Sequence, residues 1–122
     1  MDFNENKPIY LQIADRIMDD IQQRILPPEG RLPSVRDYAA EMQVNPNTMM
    51  RTYTWLQDRE LISMKRGIGY FVTPSAPQLI ENMRRRQFFD RDAIMLMTRL
   101  KQFNVSPDEL KNLYENFLKS EK

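Results

Sequence analysis

Two helix starts with almost nothing between them constrain this chain most. Ser34 has the character of an N-cap, and Val35-Arg36-Asp37-Tyr38-Ala39-Ala40-Glu41-Met42 follows it. Only Gln43-Val44 intervenes before Asn45-Pro46, a second cap with proline at the first helical position. So short a connection makes the two helices cross against each other. Ala39 and Ala40 are small enough to permit a close crossing, and Val44 is the expected buried plug of the turn. Val35, Tyr38, Ala39 and Met42 fall on the inward stripe of the first helix, and Met49, Thr52, Tyr53 and Leu56 on that of the second. Asn47, Met50, Arg51 and Thr54 lie off the second stripe, on its outward side.

The flanking segments fit around this pair. Pro8 opens a helix expected from Ile9 to Leu26, with Ile13, Ile17, Ile21 and Ile25 repeating every four residues. Pro27-Pro28-Glu29-Gly30 ends it in a turn. Leu61–Met64 and Tyr70–Val72 are β-prone runs around a basic hairpin tip, Lys65-Arg66-Gly67-Ile68-Gly69. Thr73–Pro77 reads as a linker, dividing the chain into 1–75 and 76–122. From Gln78 to about Asn104 no proline or glycine intervenes, which predicts one long helix, bent near Arg86. Ser106-Pro107-Asp108-Glu109 has cap, N1 proline and capping-box glutamate in order. Residues 1–7 are expected to be irregular. The expected fold class is mainly α with a small β-wing: an N-terminal winged helix-turn-helix plus a C-terminal two-helix dimerisation domain.

Composition narrows the chemistry. The 122 residues include no cysteine and no histidine. Disulfides, thiolate zinc sites and cysteine nucleophiles are excluded, and the commonest general base and metal ligand is missing. No catalytic residue, metal site or cofactor is therefore expected, and an enzyme is a remote reading. No apolar run approaches the ~20 residues of a membrane helix. Met1–Glu5 lacks a signal-peptide pattern. The expectation is a cytoplasmic protein without a membrane partner. Net charge is only +1, so a nucleic-acid partner has to be argued from where the charges sit.

Their placement points to double-stranded DNA. A helix entering the major groove presents polar side chains at its N-terminal end, nearest the base edges. Asn45, Asn47 and Thr48 stand there, Arg51 is one turn further in, and Met50 could touch a thymine methyl. The helix start at Ser34 offers free N–H groups to a phosphate, with Arg36 on its first turn. Lys65, Arg66 and Gly67 form a protruding tip that fits a minor groove or straddles phosphates. Taken singly, each has an ordinary reading as a cap, a solvated charge or a hairpin turn. The weight lies in their fixed order.

That order resembles the N-terminal domain of GntR-type bacterial transcription regulators. The resemblance is carried by Pro8-Ile9-Tyr10, Leu32-Pro33-Ser34-Val35-Arg36, Val44-Asn45-Pro46-Asn47-Thr48 and Arg66-Gly67-Ile68-Gly69-Tyr70-Phe71-Val72. Within the family, the Asn45–Thr48 turn and the short tail resemble the YtrA subfamily. The resemblance implies a homodimeric repressor on a palindromic operator. It also implies that Arg36 contacts DNA, that Thr48 belongs to the recognition helix and that Gly67 approaches the minor groove. Many relatives carry arginine where this chain has Pro46 and Met50, which shifts base reading towards Asn47 and Arg51.

The tail is too short for an ordinary ligand-binding domain. Its candidate pairing residues are Leu96, Leu100 and Phe103 on the long helix, and Leu110, Leu113, Tyr114 and Phe117 on the last one. Pairing with the same helices of a second copy covers them, whereas folding back on the winged helix of a monomer is the rival arrangement. The rival function is a winged-helix module that binds protein without specific DNA binding. The sequence leaves a small-molecule effector open.

Overall fold

The computed structural model describes residues 6–121, so the irregular start expected at residues 1–5 lies outside the described residues. The chain forms two compact units, one ending at Met83 and the other beginning at Arg84.

Helix α1 spans Ile9–Gln22 and buries Ile13, Ala14, Ile17, Met18 and Ile21 on one side. It ends earlier than the periodicity predicts. Ile25 continues the four-residue repeat yet is 63% exposed. Arg24 takes a left-handed conformation (φ 63°), and the Leu26 N–H turns back to the Asp20 carbonyl at 3.0 Å. Leu26, not Ile25, then packs against the core. Pro27 follows directly, and a residue before proline is disfavoured in a helix.

Helix α2 covers Val35–Met42 and α3 covers Pro46–Asp58. Gln43 ends α2 in a left-handed conformation, the Val44 N–H bonds the Ala39 carbonyl at 2.9 Å, and Val44 packs on the core. Tyr38 and Ala39 on α2 and Met49, Thr52, Tyr53 and Leu56 on α3 are buried, as the stripes require.

Strands β1 (Ile62–Lys65) and β2 (Gly69–Val72) form an antiparallel wing with Ile62 opposite Val72 and Lys65 opposite Gly69. An isolated strand alone would expose a row of unpaired backbone groups. Here residues 29–32, read from sequence as the end of a turn and the lead-in to the second helix, run along the free side of β2. Glu29 N–H donates to the Val72 carbonyl (2.8 Å), Val72 N–H to Gly30 (2.8 Å) and Leu32 N–H to Tyr70 (2.9 Å), and Arg31 pairs with Phe71.

Tyr53 ties these pieces together. It is fully buried, its hydroxyl donates to the Pro33 carbonyl at 2.6 Å, and the rings of Tyr38 and Tyr70 meet it edge-on at 6.5 and 4.9 Å. Such pairs contribute about 0.5–1.5 kcal/mol beyond their buried area.

The segment Thr73–Pro77 is not a free linker. Thr73 donates from its N–H to the Leu61 carbonyl and from its hydroxyl to Glu60. Helix α4 starts at Ala76 and runs to Gln87, with Ala76 and Ile80 completely buried in the first core. The long helix expected from Gln78 is helical to Gln102, but its backbone widens into a π turn at Phe88–Asp92 before α5 (Ala93–Gln102). Asn104 then turns left-handed and Val105 N–H caps Leu100. Helix α6 (Pro107–Ser120) begins with a complete capping box, Ser106 Oγ accepting from Glu109 N–H (3.1 Å) and Glu109 Oε1 from Ser106 N–H (3.2 Å).

Candidate nucleic-acid interface

The start of α2 is built by Ser34, whose Oγ accepts the Asp37 N–H at 3.1 Å. That leaves Arg36 exposed on the first helical turn, with no hydrogen bond, ion pair or ring contact to any described residue. The start of α3 is built in the same way. Asn45 Oδ1 accepts the Asn47 N–H at 2.7 Å, so this carboxamide oxygen is engaged locally. The Asn47 side chain is exposed beyond it, and Thr48 is half-buried at the next position. Met50 is exposed beside them.

Arg51 is exposed but not loose. Its guanidinium lies over the Tyr10 ring at 4.1 Å from the centroid. The neighbouring Thr52 hydroxyl donates to the Tyr10 carbonyl at 2.8 Å, so α1 and α3 are joined at this point by two contacts. Neither contact is legible in sequence, because Tyr10 and Arg51 belong to different elements. Trp55, half-buried on the core, carries Arg59 on its ring at 3.8 Å, in keeping with a packing role.

At the wing, the turn closes through the Ile68 N–H to the Lys65 carbonyl at 2.9 Å. Gly67 has φ +77°, and open space surrounds its Cα. Only glycine takes that conformation without penalty. Arg66 is exposed and, as with Arg36, its side chain makes no hydrogen bond, ion pair or ring contact to a described residue. Lys65 lies over the Phe71 ring at 4.4 Å. A further cation, Arg31, sits at this tip although sequence reading passed over it: its Nη2 donates to the Ile68 carbonyl at 2.6 Å. The same extended lead-in carries Arg31, Pro33 and Ser34, so the Arg31 and Tyr53 bonds connect the start of α2 to the wing tip on one side and to α3 on the other.

Burial pushes the Tyr53 phenol well above its ordinary range, aided by the neighbouring Tyr38 and Tyr70. Burial and then Asp20 raise Tyr38. Both phenols are therefore neutral at neutral pH, and that of Tyr53 is the donor to the Pro33 carbonyl.

In the second unit, the π turn, α5 and α6 contain no buried residue. Leu96, Phe103, Leu113, Tyr114 and Phe117 are exposed, while Leu100 and Leu110 are half-buried. An apolar groove of about 880 Å³ opens there, lined chiefly by Phe88, Leu96, Leu110, Leu113, Tyr114 and Phe117. Among the described residues, no helix is long and apolar enough to cross a membrane, and no cluster of acidic side chains could hold a metal ion.

Two capped helices at a tight crossing and a three-residue basic tip define a winged helix-turn-helix of the transcription-regulator type. The family model for bacterial regulatory proteins of the gntR family matches residues 9–72, and the chain belongs to that family. It is 43% identical over 74 residues to the HTH-type transcriptional regulator YhcF of Bacillus subtilis, covering 61% of each chain. It is 33% identical over 76 residues to the HTH-type transcriptional repressor YtrA of the same organism, covering 62% of this chain and 58% of that one. The matching segment thus spans about three fifths of the length of these relatives. Among solved structures, it resembles a GntR-family transcriptional regulator from Bacteroides thetaiotaomicron, with TM-score 0.85 and 43% identity over 94% of this chain and 100% of that one. It also resembles a transcriptional regulator from Oenococcus oeni, with TM-score 0.82 and 27% identity over 97% of both chains.

Proposed function

We propose that this protein is a homodimeric, sequence-specific DNA-binding repressor that reads a palindromic operator. The observation that carries the reading is the state of Arg36 and Arg66. Both are exposed arginines, one on the first turn of α2 and one in the wing turn, and neither side chain has a hydrogen bond, ion pair or ring contact to a described residue. Phosphates would complete their hydrogen bonding, while Asn47, Thr48 and Arg51 face base edges from the start of α3. Ser34, Asn45, Lys65 and Gly67 shape the two helix starts and the tip. One copy reads a half-site, so a palindrome requires a second copy. Helices α5 and α6 supply the pairing surface, since an apolar side chain gains about 1.5–3 kcal/mol on full burial and none there is buried in one chain. The kinship with a protein named as a repressor supports the direction of control.

Fluorescence anisotropy on the DNA upstream of its own gene tests this. Affinity should exceed that for random duplex, and its logarithm should fall linearly with the logarithm of salt concentration. Arg36→Ala and Arg66→Ala should each reduce affinity with unchanged melting. Equal affinity for random duplex would sink the reading, as would a protein partner held in high salt without DNA retention. Light scattering should give a dimer at micromolar concentration, and Leu113→Glu with Phe117→Glu should give a monomer.

A further inference from the structure

We propose that Arg31 is a positioning residue for the wing: it converts a loose two-glycine tip into a defined one and so sets where Arg66 and Gly67 meet DNA. The DNA part of this inference rests on the function proposed above. The part concerning the tip's order does not.

The tip needs a fastener. Ile68 sits between Gly67 at φ +77° and Gly69 at φ +142°, two residues with the widest backbone freedom. Its own side chain is 55% exposed, so packing does not hold it. On one side the turn is closed by Ile68 N–H to the Lys65 carbonyl at 2.9 Å. On the other side, the Ile68 carbonyl receives Arg31 Nη2 at 2.6 Å, a short, charge-assisted bond. Without Arg31, the peptide between Ile68 and Gly69 has no side-chain restraint on its rotation.

Gly69 also takes on a second meaning. A Cβ built there would lie 3.1 Å from Arg31 Nε and 3.3 Å from its Nη2. Glycine at this position thus leaves room for the guanidinium to lie along the wing, besides permitting its backbone angle. The stem that delivers the guanidinium is itself fixed, because residues 30 and 32 are hydrogen-bonded to β2 on either side of the Arg31–Phe71 pair. A planar fork suits this task. One arm binds the carbonyl, and the planar group keeps that orientation. A lysine would bring the charge without the fork. Of the three cations at the tip, Arg31 and Lys65 are therefore held in place by the wing, and Arg66 alone is left to reach.

The test uses the full chain with Arg31→Met and Arg31→Lys. The side chain is exposed, so both variants should keep wild-type circular dichroism and melting. Backbone 15N relaxation without DNA should show order parameters near about 0.8 at residues 67–69 in the wild type, falling below about 0.6 in both variants. Unchanged order in either variant overturns the fastening role. With DNA, both variants should lose about tenfold in affinity, the scale of one charge-assisted bond. In the Arg66→Ala background, Arg31→Met should cost less than about twofold more, because a displaced tip has already lost its contact. Wild-type affinity in Arg31→Lys, or losses that multiply in the double variant, would reduce Arg31 to a simple charge and overturn the positioning role. If the wild type binds no specific DNA, the repressor reading fails while the relaxation result still decides what Arg31 does to the tip.

Discussion

Replacing Tyr53 with phenylalanine removes one oxygen from the middle of the winged-helix unit. That oxygen is fully buried and donates to the Pro33 carbonyl at 2.6 Å. Pro33 stands just before the cap of α2, so the bond fixes the start of α2 against the body of α3. Phenylalanine keeps both edge-on ring contacts and nearly all the volume, which isolates the hydrogen bond. Leaving the carbonyl without its donor costs about 1–3 kcal/mol. For a domain of this size each kcal/mol lowers Tm by about 4–8 °C. Urea unfolding followed by circular dichroism, at one fixed protein concentration, should give a lower midpoint with an unchanged slope. The gap should also depend on pH in one direction only. The folded-state pKa of Tyr53 is raised above its ordinary value of 10.0. Its contribution is therefore complete below pH 10 and is lost as pH rises from there towards the folded pKa, by about 1.4 kcal/mol per pH unit. Tyr53→Phe escapes this loss, so the two stabilities should converge above pH 10. Tyr38 titrates in both proteins and cancels to first order. A difference below about 0.5 kcal/mol at pH 7, or a gap that widens with alkali, would refute the buried hydrogen bond as the tie between the two helices.

Other consequences can be measured with single substitutions. Tyr10→Leu removes the ring under Arg51 and should cost about 0.5–1 kcal/mol of stability; on the function proposed above, affinity for specific DNA should fall in Tyr10→Leu but not in Tyr10→Phe. Ser106→Ala removes half of the capping box and should cost about 0.5–2 kcal/mol, read as lower helicity and, on the pairing proposed above, weaker self-association by sedimentation. Gly67→Ala meets no steric neighbour, so it should cost only the left-handed backbone penalty of about 1–2 kcal/mol, visible in melting, while Gly30→Ala should cost more because its Cβ would fall 2.8 Å from the Pro27 carbonyl oxygen.

Rules that act within a few residues made much of the fold legible. Ser34, Asn45-Pro46 and the Ser106–Glu109 box each satisfy their helix start from inside the same turn, so their side-chain types announce them. The wing announced itself through Gly67 and Gly69 for the same reason. The misreadings fall where distant contacts decide. Ile25 keeps the helical period, but the chain reverses at Arg24 so that Leu26 can reach the core. Thr73–Pro77 has a linker's composition, yet Ala76 and Ile80 find a core made by other elements. At the candidate interface, the exposed positions of Arg36, Asn47 and Arg66 follow from helix phase and hairpin shape. Arg31 and Tyr10 were invisible because their partners, Ile68 and Arg51, lie about forty residues away, and pairings across long loops leave no local periodicity.

The strip at residues 29–32 that borders β2 has a consequence for the order of folding. Pairing Arg31 with Phe71 closes a long loop, and all of α2, α3 and β1 lies inside it. The contacts between α2 and α3, and those within the β1–β2 hairpin, span short stretches of chain and carry little closure entropy, whereas docking of the hairpin on residues 29–32 must wait for that loop to close. During synthesis the helix pair emerges complete while β2 is still unmade. A nascent chain then holds a recognition helix without its wing, and acquires the docked wing only when residues 69–72 reach the strip at 29–32. Trp55, the single tryptophan, sits on α3 and would report the earlier event. Substitutions at Phe71 should accordingly speed unfolding and leave the folding rate nearly untouched.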